Sequence, residues 1–309
     1  MSAVPPWALV ITGIVSVQVG AGLAGRMFGE VSPATLTGLR LSAAAAAMAA
    51  FGARGLARTV RDLVRERAWR DSAVVAAFGV TLAIMNFSFY QAFARIPLGI
   101  VVTIEFLGPL AVAVASSRRP VDLVWVALAG TGVALLSDGW SSLSLHRGQG
   151  GQAGTALAGV ALALVAAAGW AAYILLSAST GRRFPGSSGL TIAMVVAAVA
   201  VTPAAAAGSA GHGDPLRLAV IGTGIAAGLL SSVIPYRLEM ETLRRIPARI
   251  FGIWMSLEPA VAALVGLVLL GEALAPREWA AIGCVIVASA GAARANGPAP
   301  GDPVPPNPG

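Results

Sequence analysis

The sequence predicts an all-α integral membrane protein: ten transmembrane helices in two inverted five-helix repeats, with both the N- and C-termini cytoplasmic. Three observations carry that reading. The 309 residues are 57% apolar and 11% charged, whereas a soluble domain carries about 25% charged residues. The chain divides into ten apolar runs, each near the ~20 residues that a helix needs to cross a bilayer. A segment of the first half, Arg95-Ile96-Pro97 through Pro109, returns 150 residues later as Arg245-Ile246-Pro247 through Pro259.

The expected spans are 6–27, 34–53, 72–94, 97–116, 121–138, 154–178, 187–207, 217–240, 247–270 and 276–294. The residues before the first, Met1 to Pro5, lack the basic region of a secretory signal, so that run reads as a retained span. Between the second and third spans lies Arg54 to Asp71. Its Leu56, Val60, Leu63, Val64 and Ala68 fall near helical spacing, which fits either a helix on the membrane surface or a charged linker. Residues 1–150 form the first repeat and 151–295 the second. The Pro/Gly-rich tail, 296–309, has no periodicity and reads as disordered, on the cytoplasmic side.

Arginine sets the orientation. All 21 basic residues are arginine. With the N-terminus inside, fourteen fall in cytoplasmic segments and five (Arg26, Arg95, Arg147, Arg217 and Arg277) fall outside, as the positive-inside rule requires. Trp7, Trp69 and Trp125 then mark the inner interface, and Trp140 and Trp279 the outer. Five spans per half is odd, so the second half enters the membrane upside down. The charges agree: the arginine-rich 54–71 linker corresponds to a segment with only His212, Asp214 and Arg217, and lone Arg95 corresponds to Arg244, Arg245 and Arg249. Inverted repeats of this kind characterise secondary transporters, which bind substrate near the midplane between the halves.

Several function classes drop out. The sequence pI of 11.1 does not mark a nucleic-acid binder, because the arginines lie between apolar runs and not on one polar face. Cys284 is the one cysteine, so no disulfide framework exists. With His146 and His212 both in loops, neither a metal cluster nor a cofactor is expected. A membrane enzyme would have few nucleophiles to work with. No Walker-type glycine loop is present, so drive must come from an ion or substrate gradient.

The candidate site residues are polar groups inside spans. Glu105 lies about 12 Å into its helix at 1.5 Å per residue, where a charge costs roughly 2.5–3.5 kcal/mol on insertion scales. It fits a proton-coupling group, a contact to a substrate ammonium, or a helix-packing carboxyl. Glu258 lies at similar depth from the opposite face. Pro109 and Pro259 each remove a backbone donor and permit a kink beside these acids, while Pro97 and Pro247 open the same two spans. Asn86, Tyr90 and Phe93 share one face of the third span, Trp170, Tyr173 and Ser177 one face of the sixth, and Tyr236 and Met240 one face of the eighth. These fit a substrate cavity or plain packing. Gln18 is a lone polar candidate in the first span. Arg40 either binds a substrate carboxylate or snorkels to the outer interface. Arg237 and Glu241 have i, i+4 spacing and Glu241 also reaches Arg244 and Arg245, a structural ion-pair cluster, while Glu239 lies on another face. The 150-residue offset pairs Glu105 with Met255 and Glu258 with Gly108, so the two acids are not repeat equivalents.

Longer strings carry a resemblance. Ile96 to Ile100 with Glu105-Phe106, Gly108 to Ala113 and Ser116 to Asp122 resemble the EamA type of the drug/metabolite transporter superfamily, and within it the bacterial exporters of threonine and homoserine. So do Met85-Asn86, Trp170 to Leu175, Pro235-Tyr236 with Leu238 to Met240, and Met255 to Ala260. The likeness covers about residues 6–294. It implies efflux of small amino acids or metabolites across the bacterial inner membrane, driven by proton exchange, by a monomer or homodimer whose partners are substrate, protons and lipid. Other readings are a transporter of a different metabolite or drug in either direction, or a non-transporting sensor or scaffold.

Overall fold

A computed structural model describes residues 4–65, 68–115, 122–137, 153–184, 186–209, 216–246 and 248–295. Pro247, Arg118, Arg119, Trp140, His146, Arg147, His212, Asp214 and the 296–309 tail lie outside the described residues. What is described is helical, without strands. The helices are α1 (Pro6–Gly25), α2 (Pro33–Arg65), α3 (Trp69–Phe93), α4 (Leu98–Glu105), α5 (Leu107–Ala115), α6 (Asp122–Ser137), α7 (Ala153–Arg183), α8 (Ser188–Ser209), α9 (Leu218–Gly228), α10 (Ile234–Leu243), α11 (Ala248–Met255), α12 (Glu258–Val265) and α13 (Pro276–Ala295). π-turns over Leu229–Val233 and Gly266–Leu270 follow α9 and α12.

Among the described residues, eight helical stretches are long and apolar enough to cross a membrane. They coincide with the expected spans one to four and six to nine. The other two expected spans correspond to α6, with 16 residues, and α13, with 20. Leu218, Val268 and Val199 point outward, which lipid tolerates because tails are as apolar as the side chains.

As far as Arg65, the arginine-rich stretch after the second span is neither a separate surface helix nor an irregular linker. It continues α2, which runs 33 residues to Arg65. Ala43 to Ala50 is almost unbroken alanine, the strongest helix former, and no proline follows to stop it. At 1.5 Å per residue α2 is about 50 Å long, beyond the ~30 Å hydrocarbon core.

Prolines divide the other spans. Pro109 has no N–H for the carbonyl four residues back, which is that of Glu105, and α4 ends at Glu105 before α5 resumes at Leu107. Pro259 stands in the same relation to Met255, and α11 ends there. The two breaks are 150 residues apart, as in the sequence repeat. Pro235 likewise lacks a donor for Ser231, and the chain there winds as a π-turn.

Helices of the two halves pack on one another reciprocally. The third span lies on the sixth and the eighth on the first. The third also lies on the seventh, and the eighth on the second. α2 and α8, α4 and α12, and α6 and α13 pair with each other. At the fourth–ninth crossing Gly99 lets α4 meet the backbone of Ala263 in α12. The main core, around Phe93, Ile96, Leu98, Ile100 and Ile104, gathers the third, fourth and sixth spans.

Candidate functional site

A cavity of about 660 Å³ lies between the halves, within the usual range for small-molecule sites. Gln18 comes from α1, Arg40 from α2, Asn86 and Tyr90 from α3, Glu105 from the end of α4, Trp170 and Tyr173 from α7, Tyr236 from α10 and Glu258 from the start of α12; all nine line it. Of the prolines, Pro109 lines it, Pro97 precedes α4 and Pro259 is buried in the first turn of α12. The proline breaks place both carboxylates at helix interruptions, beside turns whose backbone departs from the regular ladder.

Hydrogen bonds hold the polar groups in two clusters. In one, the Gln18 Nε2 amide donates to Glu258 Oε1 at 2.9 Å across 240 residues of sequence. In the other, Arg40 donates through Nη1 to Ser231 Oγ at 2.6 Å and through Nη2 to Asn86 Oδ1. Asn86 is itself fixed by donating to the Leu82 carbonyl at 2.8 Å. The Arg40 guanidinium lies 5.1 Å from the Tyr90 ring centroid, a favourable cation–π distance. Only 5% of Arg40 is exposed, so it faces the cavity and does not snorkel to the interface. Glu105, buried on the same cavity, is within electrostatic reach of both Glu258 and Arg40.

Aromatic rings shape the walls. Phe106 meets Trp170 edge to face at 5.0 Å, and Phe78 leans on Tyr173 at 5.4 Å. Phe28, Phe89, Tyr90 and Phe93 interlock at centroid distances of 5.1 to 6.5 Å. That cluster decides between the two readings of Phe93 in favour of packing. Phe93 shares the helical face of Asn86 and Tyr90, yet it packs on Phe28 in the core, because the turn after α1 folds over that end of α3. Ser177 lines a smaller cavity of about 200 Å³, which also touches Tyr173 and Tyr236. Of the expected ion-pair cluster, Glu241 pairs with Arg245 one turn on and lies 4.0 Å from Arg244, while Arg237 lies instead over the Phe51 ring at 5.1 Å.

Glu239 joins the cavity lining and brings a third carboxylate. Ser231 and Phe106 escaped the sequence reading. A serine in an apolar run carries no signal of its own, but Pro235 four residues later marks its carbonyl as unsatisfied, and that was the available clue. The 150-residue offset also pairs lining positions: Arg40 with Leu190, Leu82 with Ser232, Met85 with Pro235, Asn86 with Tyr236, Phe89 with Glu239, Val102 with Gly252, and Glu105 with Met255.

Comparisons with known proteins agree on one family. The EamA-like transporter family matches residues 157–294. The threonine/homoserine exporter RhtA of Escherichia coli K12 is 39% identical over 287 residues, covering 93% of this chain and 90% of its own. RhtA of Salmonella typhimurium SL1344 is 36% identical over the same share of each chain. The uncharacterized transporter YwfM of Bacillus subtilis 168 is 27% identical over 55% of this chain and 54% of its own. A crystal structure of a protein 18% identical superposes with a TM-score of 0.59, covering 94% of this chain and 99% of that one, a likeness of fold alone.

Proposed function

Because the chain belongs to the EamA-like transporter family, we propose that it exports small amino acids of the threonine and homoserine type across the bacterial inner membrane by alternating access, coupled to protons. The chain is a membrane transporter, not an enzyme. The finer reading places ten spans in two inverted repeats, 1–150 and 151–295, with both termini cytoplasmic. The reciprocal packing of the halves and the paired lining positions support the repeat, and the arginine distribution supports the orientation.

One observation carries the functional reading: a cavity between the halves whose buried polar lining comes from both of them. A non-transporting scaffold calls instead for a dry, packed interface there. In an alternating-access cycle the cavity opens inward to load substrate and outward to release it, as one half rocks against the other about the bound ligand. The proline breaks at Glu105–Pro109 and Met255–Pro259 are where the helices bend without losing further hydrogen bonds. Glu105 is the proton-coupling group and Glu258 its partner across the site.

The test is homoserine efflux from preloaded cells, at several external pH values, for wild type and Glu105→Gln. The substitution keeps shape and hydrogen-bonding capacity but removes the exchangeable proton. Efflux is expected to collapse and the residue to lose its pH dependence. Undiminished efflux with unchanged pH dependence removes Glu105 from the coupling step.

A further inference from the structure

The cavity contains more unused hydrogen-bonding capacity than packing explains. Among the described residues, five buried side-chain atoms that line it have no hydrogen-bond partner: Gln18 Oε1, Arg40 Nε, Tyr90 Oη, Glu258 Oε2 and Ser289 Oγ. Leaving such a group unpaired costs about 1–3 kcal/mol, more for a charged one, so a cluster of them facing one space marks where a ligand supplies the partners. Gln18 and Tyr90 are 1% exposed, Arg40 5% and Glu258 6%, so bulk solvent does not satisfy them.

The five atoms sort by chemistry. Arg40 Nε is an obligatory donor and Tyr90 Oη carries a donor hydrogen. They belong to one cluster, since the guanidinium lies over the Tyr90 ring. Each of the other two guanidinium nitrogens gives one of its two N–H groups to a neutral partner, Ser231 or Asn86, which leaves further donors beside Nε; among the described residues no carboxylate pairs with Arg40. Gln18 Oε1 and Glu258 Oε2 are both acceptors, and they too belong to one cluster, since Gln18 Nε2 already donates to Glu258 Oε1. Ser289 Oγ can donate or accept, and so favours neither pole.

We propose that these clusters are the two poles of a zwitterion site: Arg40 Nε and Tyr90 Oη receive the substrate α-carboxylate, and Glu258 Oε2 and Gln18 Oε1 receive its α-ammonium. The assignment rests on the transport reading above and deepens it. It divides the labour between the acids, with Glu258 reading the substrate and Glu105 left to the proton. It also makes the ligand class a free α-amino acid, as opposed to an amine, a hydroxy acid or an apolar drug. A carboxylate fits the arginine pole because a guanidinium donates to it along a fixed fork. The ammonium has three donors, two of which the acceptor pair takes.

The experiment is counterflow in proteoliposomes of the purified full-length chain. Three ligands are compared: homoserine, 3-amino-1-propanol (homoserine without its carboxylate) and 4-hydroxybutanoate (homoserine without its ammonium). Wild type is expected to prefer homoserine over either half-ligand by on the order of 10- to 100-fold, the factor a hydrogen bond to a charged group supplies. Arg40→Gln is expected to erase the preference over 3-amino-1-propanol while keeping that over 4-hydroxybutanoate, and Glu258→Gln to do the reverse. Tyr90→Phe, which keeps the ring and its packing, weakens the first preference in the same direction as Arg40→Gln. Equal loss for all three ligands in every variant, at normal thermal stability, overturns the pole assignment and leaves transport standing. Wild type that moves none of them, or moves 3-amino-1-propanol as well as homoserine, also overturns it, and the former result removes the amino-acid reading too.

Discussion

Gly99→Ala isolates the close crossing of α4 and α12 in a single methyl group. A methyl at Gly99 would lie 2.7 Å from Ala263 Cβ, 2.8 Å from Ala263 Cα and 3.1 Å from its backbone nitrogen. Carbon atoms pack at about 3.5–4.0 Å, and two of the three atoms met are backbone, which no rotamer change moves aside. The helices must therefore part by roughly 1 Å. Two effects oppose each other. Alanine is better than glycine in a helix interior by about 0.8–1.0 kcal/mol, and Gly99 is only the second residue of α4, so this benefit falls at the low end. Overpacking costs about 1–3 kcal/mol, and contact with backbone puts it at the high end. The net expectation is destabilisation of about 1–2 kcal/mol. Function suffers more than stability, because α4 ends at Glu105 and α12 begins at Glu258. A shift of ~1 Å exceeds the ~0.5 Å tolerance of a preorganised site. Thermal unfolding in detergent and amino-acid counterflow both read the effect, with Gly130→Ala as control, since nothing lies within 4 Å of a methyl there. Adding Ala263→Gly should restore part of the loss, as it removes the 2.7 Å contact but leaves the backbone ones. A Gly99→Ala protein that melts and transports like Gly130→Ala refutes the reasoning.

Further expectations concern the breaks and the rims. Pro109→Ala returns an N–H able to bond the Glu105 carbonyl, so the fourth span should straighten: thermal stability rises or holds while efflux falls, and efflux at the wild-type rate would deny the break a role. The ion pairs Arg183–Asp71 at 2.5 Å and Arg217–Glu30 at 2.6 Å are both solvent-exposed. Asp71→Asn and Glu30→Gln should each cost less than about 1 kcal/mol, an effect that fades as salt is raised; a larger, salt-independent loss in unfolding experiments would contradict that.

How far the sequence reaches depends on the kind of force involved. Span positions were legible because hydrophobic length is local: the runs at 6–27 and 72–94 needed only a count of apolar residues. The break after Glu105 was legible because proline's missing donor acts at a fixed four-residue distance. The polar lining could be read because an amide, a guanidinium or a carboxylate inside an apolar run is anomalous on its face. What could not be read depends on which helix arrives from elsewhere. Phe93 has the right helical face for the cavity, but Phe28 in the turn after α1 covers it. Arg237 has Glu241 one turn away and packs on Phe51 of α2 instead. The continuation of α2 through Arg65 is not legible because arginines at helical spacing suit a solvated helix and a linker equally well.

The paired lining positions also show where repetition stops. At each of these polar positions the two halves carry different chemistry: the 150-residue offset matches Arg40 with Leu190, Asn86 with Tyr236, Glu105 with Met255, and Glu239 with Phe89. In the proposed cycle, repetition of the breaks would let two similar bundles rock about a shared centre. Repetition of the charges would give that centre matching poles, and a zwitterion would then gain nothing from one orientation over the other. The sequence departs from its own repeat at the residues that would read the ligand. The Glu105–Pro109 and Glu258–Pro259 segments are thus alike in backbone and unlike in role: each interrupts its helix, but only Glu258 is held by Gln18. An exchange of roles is the sharpest way to probe this. Moving the second acid to its strict repeat position, with Met255→Glu and Glu258→Gly, would make it the equivalent of Glu105 and place it before the break, not after it. Gln18 would lose its acceptor and the ammonium its pole. Homoserine counterflow should then fall to the level of Glu258→Gln despite an unchanged number of carboxylates, and full activity in that double variant would show that only the number of acids matters, not their placement.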